Sequence, residues 1–212
     1  MKYLYIDTSS SYLYSAIVED DKLLSEIKEE YGQNLSKVAL PRIASMFEDN
    51  NISAKDIDKI IVVNGPGSFT GIRIGLTIAK TYAWSLNIPI TSILSLEAMA
   101  LSSTNSIYHV PVINARRGYV FAAIYDKDYN EVLKPSHILI TDLLEKLKKL
   151  DSYEIITRDE FDEFEITKDY DPDILKIANY YKDKENKNPH GINPEYLKLT
   201  EAEENKNDNW NN

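Results

Sequence analysis

The chain has 212 residues, 43% of them hydrophobic and 27% charged, and its formal net charge is −10 from 24 Lys and Arg against 34 Asp and Glu. This composition is typical of a globular chain, and the negative charge opposes nucleic-acid binding by the chain alone, because that affinity depends on neutralising phosphates. The absence of cysteine excludes disulfides, thiolate metal sites and a cysteine nucleophile. The N-terminus lacks a signal-peptide pattern and no apolar run approaches the roughly 18 residues of a membrane span, so we expect a cytoplasmic protein.

The N-terminal half predicts an α/β unit with a mixed sheet. Three runs rich in aromatic and β-branched residues, at 3–6, 12–18 and 23–29, are separated by turns too short for a helix, so they should be antiparallel neighbours. Ser36 is a plausible N-cap for a helix that reaches Phe47. The chain then alternates strands and helices: a buried strand at 59–63, a helix at 69–86, a buried strand at 90–94 and a helix at 96–101.

The second half, like the first, opens with antiparallel strands and continues into alternating helices and strands. Strands at 108–113 and 119–125 form a hairpin around the sequence RRG at 116–118. After them we expect a strand at 132–140, a helix at 142–150, a strand at 153–157 and a helix at 172–184. A small polar stretch at 102–106 marks the boundary, so the predicted division is an N-terminal domain at 1–104, a smaller C-terminal domain at 105–200 and a polar tail at 201–212.

Asp7, Thr8 and Ser9 end the first predicted strand, at the edge where open α/β sheets usually bind ligands. An aspartate followed by hydroxyls could hold a hydrated Mg²⁺ and contact a phosphate. Alternatively, Asp7 and Thr8 only cap the turn into the second strand. The short motif favours the turn.

The sequence GPGSFTG at 65–71 joins a buried strand to a helix, so its backbone N–H groups could receive an anion at the helix N-terminus. It is not a P-loop, because no Gly-Lys-Ser/Thr follows it. The alternative is a tight turn in which glycine supplies unusual backbone angles and Ser68 or Thr70 caps the helix. Both interpretations stay open, and the weak cofactor-binding candidates are Asp7, Thr8, Ser9, Gly65, Gly67 and Ser68.

Small residues recur four apart along the predicted helix at 69–86, at Gly71, Gly75, Ala79 and Ala83. Glycine inside a helix costs about 1 kcal/mol relative to alanine, so close approach of another backbone is expected. This stripe packs either on the chain's own sheet or on another subunit. Because other apolar residues of the helix can face the core, we favour a subunit interface formed by the stripe with Ile43 and Phe47 of the preceding helix.

The sequence offers little metal or nucleophile chemistry. Its three histidines, His109, His137 and His190, include no pair four apart on a helix, and no G-x-S-x-G elbow is present. We expect the histidines to be ordinary surface or strand residues. Arg116 and Arg117, the only adjacent arginines, belong either to a solvated hairpin tip or to a contact with an acidic or phosphate-bearing partner.

Four segments in order resemble one family: LYIDTS at 4–9, NGPGSFTGIRIGL at 64–76, ARRGYVF at 115–121 and PEYLK at 194–198. The chain is similar along about residues 1–200 to the TsaB (YeaZ) family of the bacterial tRNA threonylcarbamoyladenosine machinery. The resemblance implies an α/β fold of two ribonuclease-H-like domains of the actin/Hsp70 (ASKHA) type, with mixed sheets flanked by helices.

The resemblance also implies a role. Members of the family are non-catalytic partners of the paralogue TsaD, which binds nucleotide and holds metal through a His-x-x-x-His helix, and the ATPase TsaE joins the pair. The complex transfers a threonylcarbamoyl group to N6 of the adenosine beside the anticodon. Accordingly, we expect no catalytic residue, metal or cofactor in this chain, with ATP and metal on the partner subunits.

Further expectations follow from the same resemblance. The chain should contact tRNA only through the complex, with Arg116 and Arg117 as candidates for contact with a partner or with tRNA. The small-residue stripe, which can meet itself across a two-fold axis, should form a homodimer when the paralogue is absent. The chain departs from many members at Leu35, where they have His, and at Asn114, where they have Asp. The alternative function is an actin-like ATPase or phosphotransferase that uses Asp7, Ser9 and the loop at 65–71.

Overall fold

The computed structural model describes residues 1–103, 107–166 and 168–198, which form two five-stranded mixed sheets. The first sheet contains β1 (Lys2–Asp7), β2 (Tyr12–Glu19), β3 (Lys22–Glu30), β4 (Lys59–Val63) and β5 (Ile90–Ile93). Its order is β3-β2-β1-β4-β5, with β1, β2 and β3 antiparallel and β4 and β5 parallel to β1. The predicted antiparallel opening and the buried strand at 59–63 are confirmed.

The second sheet repeats this arrangement. It contains β6 (Tyr108–Arg116), β7 (Tyr119–Asp126), β8 (Glu131–Leu139), β9 (Tyr153–Thr157) and β10 (Lys168–Asp169). Its order is β10-β9-β6-β7-β8, so the first strand is again central, with an antiparallel meander on one side and parallel strands on the other. The predicted class, two ribonuclease-H-like units with mixed sheets, is confirmed. The short β10 was not predicted.

Five helices in the described residues cover the sheets: α1 (Leu35–Asp49), α2 (Phe69–Leu86), α3 (Ser95–Leu101), α4 (Ile140–Leu147) and α5 (Ile174–Tyr181). α1 and α2 share one apolar cluster with the first sheet. α3 and α5 share a second cluster with both sheets, and α4 shares a third with the second sheet. The α3/α5 layer therefore lies between the sheets.

The helix bounds differ little from the prediction. Ser68 caps α2 by accepting a hydrogen bond from the Gly71 N–H, and the helix ends at Asn87 in a left-handed conformation. α1 begins at Leu35 rather than after Ser36, without a side-chain cap. α4 begins two residues early because β8 runs directly into it, and α5 is shorter at both ends. None of the described helices combines the length and hydropathy that a bilayer span needs.

The C-terminal segment returns to the first sheet. The Lys187 N–H donates to the Ile90 carbonyl at 2.7 Å, and the Glu195 N–H donates to the Asn64 carbonyl at 2.8 Å. Ile192 joins the apolar cluster of α1 and α2. The last part of the predicted C-terminal domain at 105–200 therefore packs on the N-terminal half of the chain instead of on the second sheet. The predicted boundary at 104/105 and the tail at 201–212 lie outside the described residues.

Candidate functional site

An open cleft of about 800 Å³ lies between the two sheets. One wall consists of the turn after β1 and the loop before α2. The other wall consists of β6, β7 and the residues after β9, including Phe121 and Arg158. Most of the predicted cofactor-binding candidates meet here: the cleft is lined by Asp7, Ser9, Gly67 and Ser68, while Thr8 and Gly65 lie behind these residues and are buried.

Asp7 is the last residue of β1 and only 2% exposed. The Ser9 N–H donates to its Oδ1 at 2.8 Å, which is the turn cap that the short motif favoured. Burial raises the pKa of Asp7, against the opposing effects of the Ser9 hydrogen bonds and the positive charge of Arg158. The carboxylate is thus oriented by its own turn and kept nearly out of water.

The glycine loop packs against that turn. A Cβ on Gly67, whose φ is +153°, would lie 2.2 Å from the Ser9 carbonyl oxygen, and one on Gly71 would lie 2.0 Å from the Thr8 oxygen. The Ser68 N–H donates to the Ser9 carbonyl at 2.7 Å. Backbone contact therefore explains the glycines at 67 and 71, and the Ser68 amide is already satisfied within the chain.

The small-residue stripe of α2 faces the chain's own sheet. A Cβ on Gly75 would lie 2.3 Å from Thr8 Oγ1 and 3.6 Å from Ile6 Cγ2. The predicted interface residues are all buried in the described chain: Gly71, Gly75, Ala79, Ala83, Ile43 and Phe47. The prediction that they form a subunit interface is therefore wrong, because Thr8, in the turn after β1, provides the close approach that the glycines required.

Arg158 is a site residue that the sequence analysis missed. Its guanidinium lies 4.2 Å from the centre of the Tyr12 ring and 5.3 Å from that of Tyr14, and its Nη2 donates to the Tyr170 carbonyl. A cation over aromatic faces is attracted by their quadrupoles. Arg158 follows β9 in the second sheet, so it joins the two walls at the cleft floor. Its position after the predicted strand at 153–157 was the available signal.

Arg116 and Arg117 lie at the tip of the β6–β7 hairpin, where both side chains are exposed. The predicted hairpin is confirmed. The backbone φ is +66° at Arg116, +55° at Arg117 and +76° at Gly118, so the two-residue loop at 117–118 has the positive φ angles of a type I′ turn. Arg116 also lines the mouth of the cleft.

His109 is one of the predicted strand residues, in β6, and its side chain is buried. Its Nδ1 lies 2.8 Å from Ser103 Oγ, and the Ser103 hydroxyl donates to Glu154. Because a hydroxyl has one hydrogen, His109 Nδ1–H is the donor in its own bond. Burial lowers the pKa of His109. The cluster ties β6 to β9 beside α3, and this orientation of the serine serves structure rather than nucleophilic attack.

Within the described residues, no group of three His, Cys, Asp or Glu side chains could hold a metal ion. At the end of β1 the cleft instead presents the carboxylate of Asp7, with serine hydroxyls and Arg158 also in its lining. The carboxylate can accept hydrogen bonds from a polar group in the cleft, and the serine hydroxyls and the guanidinium can donate to one.

The family model described as TsaD, tRNA N6-adenosine threonylcarbamoyltransferase, matches residues 22–171. The tRNA threonylcarbamoyladenosine biosynthesis protein TsaB of Bacillus subtilis (strain 168) is 34% identical, over 96% of each chain. TsaB of Escherichia coli (strain K12) is 28% identical over 62% of this chain and 58% of its own length.

A crystal structure from Pseudomonas aeruginosa, of an uncharacterized protein with similarity to peptidase YEAZ, shares the fold. It superposes with a TM-score of 0.74 at 19% identity, over 93% of this chain and 99% of that chain. A second P. aeruginosa structure, YeaZ, gives a TM-score of 0.73 at 18% identity, over 92% and 99%. These two structures show the shared fold, and the 34% identity to TsaB of Bacillus subtilis over 96% of both chains confirms the resemblance: the chain belongs to the TsaB family of tRNA threonylcarbamoyladenosine biosynthesis proteins.

Proposed function

We propose that the chain is a non-catalytic subunit that pairs with a TsaD-type paralogue and supports its transfer of a threonylcarbamoyl group to tRNA. The observation that carries the proposal is the 34% identity to TsaB of Bacillus subtilis over 96% of both chains. The ATPase TsaE completes the proposed assembly, and ATP and metal bind to the partner subunits. Because the substrate would be tRNA, the proposal implies a cytoplasmic protein.

The cleft supports a non-catalytic role through what its groups already do. The Ser9 amide holds Asp7, the Ser68 amide donates to the Ser9 carbonyl, and the glycines accommodate backbone contacts. The sequence has no Walker lysine and no helical histidine pair. Each feature that suggested a phosphate site thus has a structural use within the chain.

The face of α2 opposite its buried small-residue stripe is the proposed pairing surface. Thr77, Thr81 and Trp84 are exposed on one helical face, and Trp84 is 68% exposed. Leu40 is exposed on α1, which packs beside α2. Large apolar side chains, tryptophan above all, are enriched in the centres of protein interfaces. We assign this outer face to the paralogue, and to a second copy of the chain when the paralogue is absent.

Co-purification with the TsaD-type protein of the same cell tests the pairing. Thr81→Arg places a charged side chain in the surface and should weaken pairing roughly tenfold or more without lowering thermal stability. Thr141→Arg, at an exposed position on α4, is the matched control and should pair normally. Equal pairing by both variants would overturn the assignment of this face. Failure of the wild-type chain to pair or to stimulate transfer would overturn the proposed function.

The alternative is a nucleotide-dependent ATPase or phosphotransferase of the actin-like class. One observation keeps it testable: Asp7, Ser9 and Ser68 all line a space large enough for a small ligand. ATP binding by the isolated chain separates the two functions. Micromolar affinity that is lost in Asp7→Ala, together with turnover, would establish the enzyme, whereas we expect no hydrolysis of ATP.

A further inference from the structure

The β6–β7 hairpin carries two exposed arginines, Arg116 and Arg117, at its tip. Among the ion pairs of the described residues, none includes Arg116 or Arg117, although carboxylates far outnumber cations in the chain. Both arginines also have left-handed backbone conformations, which glycine or asparagine adopts more readily. Two guanidinium groups are therefore held at a fixed turn with their donors directed to solvent.

Aromatic rings continue from this turn along the same face of the sheet. The rings of Tyr119 and His137 are stacked at 4.6 Å with an interplanar angle of 9°, and Phe121 lies 5.3 Å from His137. The strand register places Arg116 opposite Tyr119 and Phe121 opposite His137, so these side chains share one face. Two members of this row, Arg116 and Phe121, also line the cleft.

We propose that this hairpin surface, formed by Arg116, Arg117, Tyr119 and His137, binds an unpaired nucleotide of an RNA strand. Tyr119 is 37% exposed, so its ring can receive a base, while the guanidinium groups reach the flanking phosphates. The two features together fit single-stranded RNA better than an acidic protein segment, which would need the arginines but no stacking platform. Insofar as the RNA is tRNA, the inference rests on the proposed function.

The net charge limits how strongly the surface acts. At physiological salt the Debye length is about 8 Å, so an RNA strand at the turn is affected mainly by the nearby charges. Asp159, which accepts a hydrogen bond from the Asn114 N–H, and Glu30 line the cleft itself. Phosphates therefore bind at the hairpin tip and not deeper in the cleft. Binding by the isolated chain is weak, and the surface contributes chiefly within the complex.

The test titrates the isotope-labelled full chain with a short unstructured RNA oligonucleotide and follows backbone NMR signals. Signals of the hairpin surface should shift, with a log–log salt dependence of about −1.4, as two phosphate contacts on a single strand predict. Arg117→Glu should weaken binding, and Tyr119→Leu should weaken it about tenfold, whereas Tyr119→Phe keeps the ring and the affinity. Lys127→Glu, an exposed charge reversal beyond the other end of β7, is the matched control.

Several results would overturn the inference. One is an equal loss of affinity in Lys127→Glu and Arg117→Glu, which indicates non-specific attraction. Another is equal binding of the same sequence as a duplex, whose bases cannot stack on Tyr119. A third is an Arg117→Glu variant that no longer pairs with the TsaD-type protein but shows the same RNA-induced NMR shifts as the wild-type chain. That result would make the hairpin a protein contact. The RNA titration needs no paralogue, so its failure and failure of the proposed function are separately visible.

Discussion

Asp7 shows how one residue can look catalytic and yet be held by its own turn. Its pKa is raised chiefly by burial, so between the unfolded value of about 3.9 and the higher folded value the native state binds more protons than the unfolded state. The stabilisation of the native state by this proton binding is fully present below pH 4 and is lost as pH rises through the folded pKa of Asp7. At neutral pH the buried carboxylate therefore destabilises the fold.

Asp7→Asn should consequently raise the melting temperature at pH 7 and lose this advantage as pH falls towards 4. The amide keeps an oxygen that accepts the Ser9 N–H, and it carries no charge to desolvate. For a chain of this size each kcal/mol corresponds to about 2–4 °C. Thermal melts across this pH range check the prediction, with the exposed Asp162→Asn as a control of equal charge change. A lower melting temperature than that control at pH 7 would mean that the ionised carboxylate has stabilising partners.

At the scale of the element, α2 was predicted with both ends correct, yet its packing partner was not. Local information set its length: Ser68 caps the start and Asn87 adopts the left-handed turn at the end. The spacing of Gly71 and Gly75 correctly indicated a close approach, but a sequence pattern does not say which backbone approaches. That depended on Thr8, a residue more than sixty positions away.

The same limit explains the other errors. Repeated apolar runs predicted the two sheets because short runs rich in β-branched and aromatic residues, bounded by turn residues, favour strands. The return of Ile192 and Glu195 to the first sheet follows instead from single long-range hydrogen bonds and contacts. Likewise, Arg158 became a site residue only because its side chain meets Tyr12 of the other sheet.

Gly75→Ala tests the packing of α2 directly. The new Cβ would lie 2.3 Å from Thr8 Oγ1, which donates to the Gly71 carbonyl at 2.7 Å. Overpacking costs about 1–3 kcal/mol and outweighs the helix-propensity gain of at most about 1 kcal/mol once the Thr8 bond is disturbed. Chemical denaturation should show a less stable protein, and adding Thr8→Ala should recover part of the loss by removing the clash.

Gly191→Ala is the control, because a Cβ at this position would have no neighbouring atom within 4 Å. It should leave the free energy of unfolding nearly unchanged. If Gly75→Ala instead retained full stability and failed only to associate, the stripe would be a subunit surface after all.

At the scale of the whole molecule, one buried lysine closes the chain onto its first sheet. Lys59 in β4 is 3% exposed, and its Nζ donates to the carbonyl oxygens of Tyr181, Lys182 and Lys184 at 3.0, 3.2 and 2.7 Å. The Tyr181 carbonyl belongs to the last residue of α5 and also accepts the Lys184 N–H at 3.2 Å, whereas Lys182 and Lys184 follow the helix. A charge at this end also complements the helix dipole.

Lys59→Met should therefore lower the free energy of local opening in the C-terminal segment more than the free energy of global unfolding. Methionine fills a similar volume but removes the lysine ammonium that donates to all three carbonyls, at a cost of about 2–4 kcal/mol. Hydrogen exchange should accelerate most in α5 and around Lys187, while the amides of β1 and β2 remain the more strongly protected. Lys55→Met, at an exposed position, removes the same charge and should change neither pattern. Uniform acceleration across both sheets would instead show that α5 unfolds only together with the whole molecule, and unchanged exchange would show that the lysine contributes no closure.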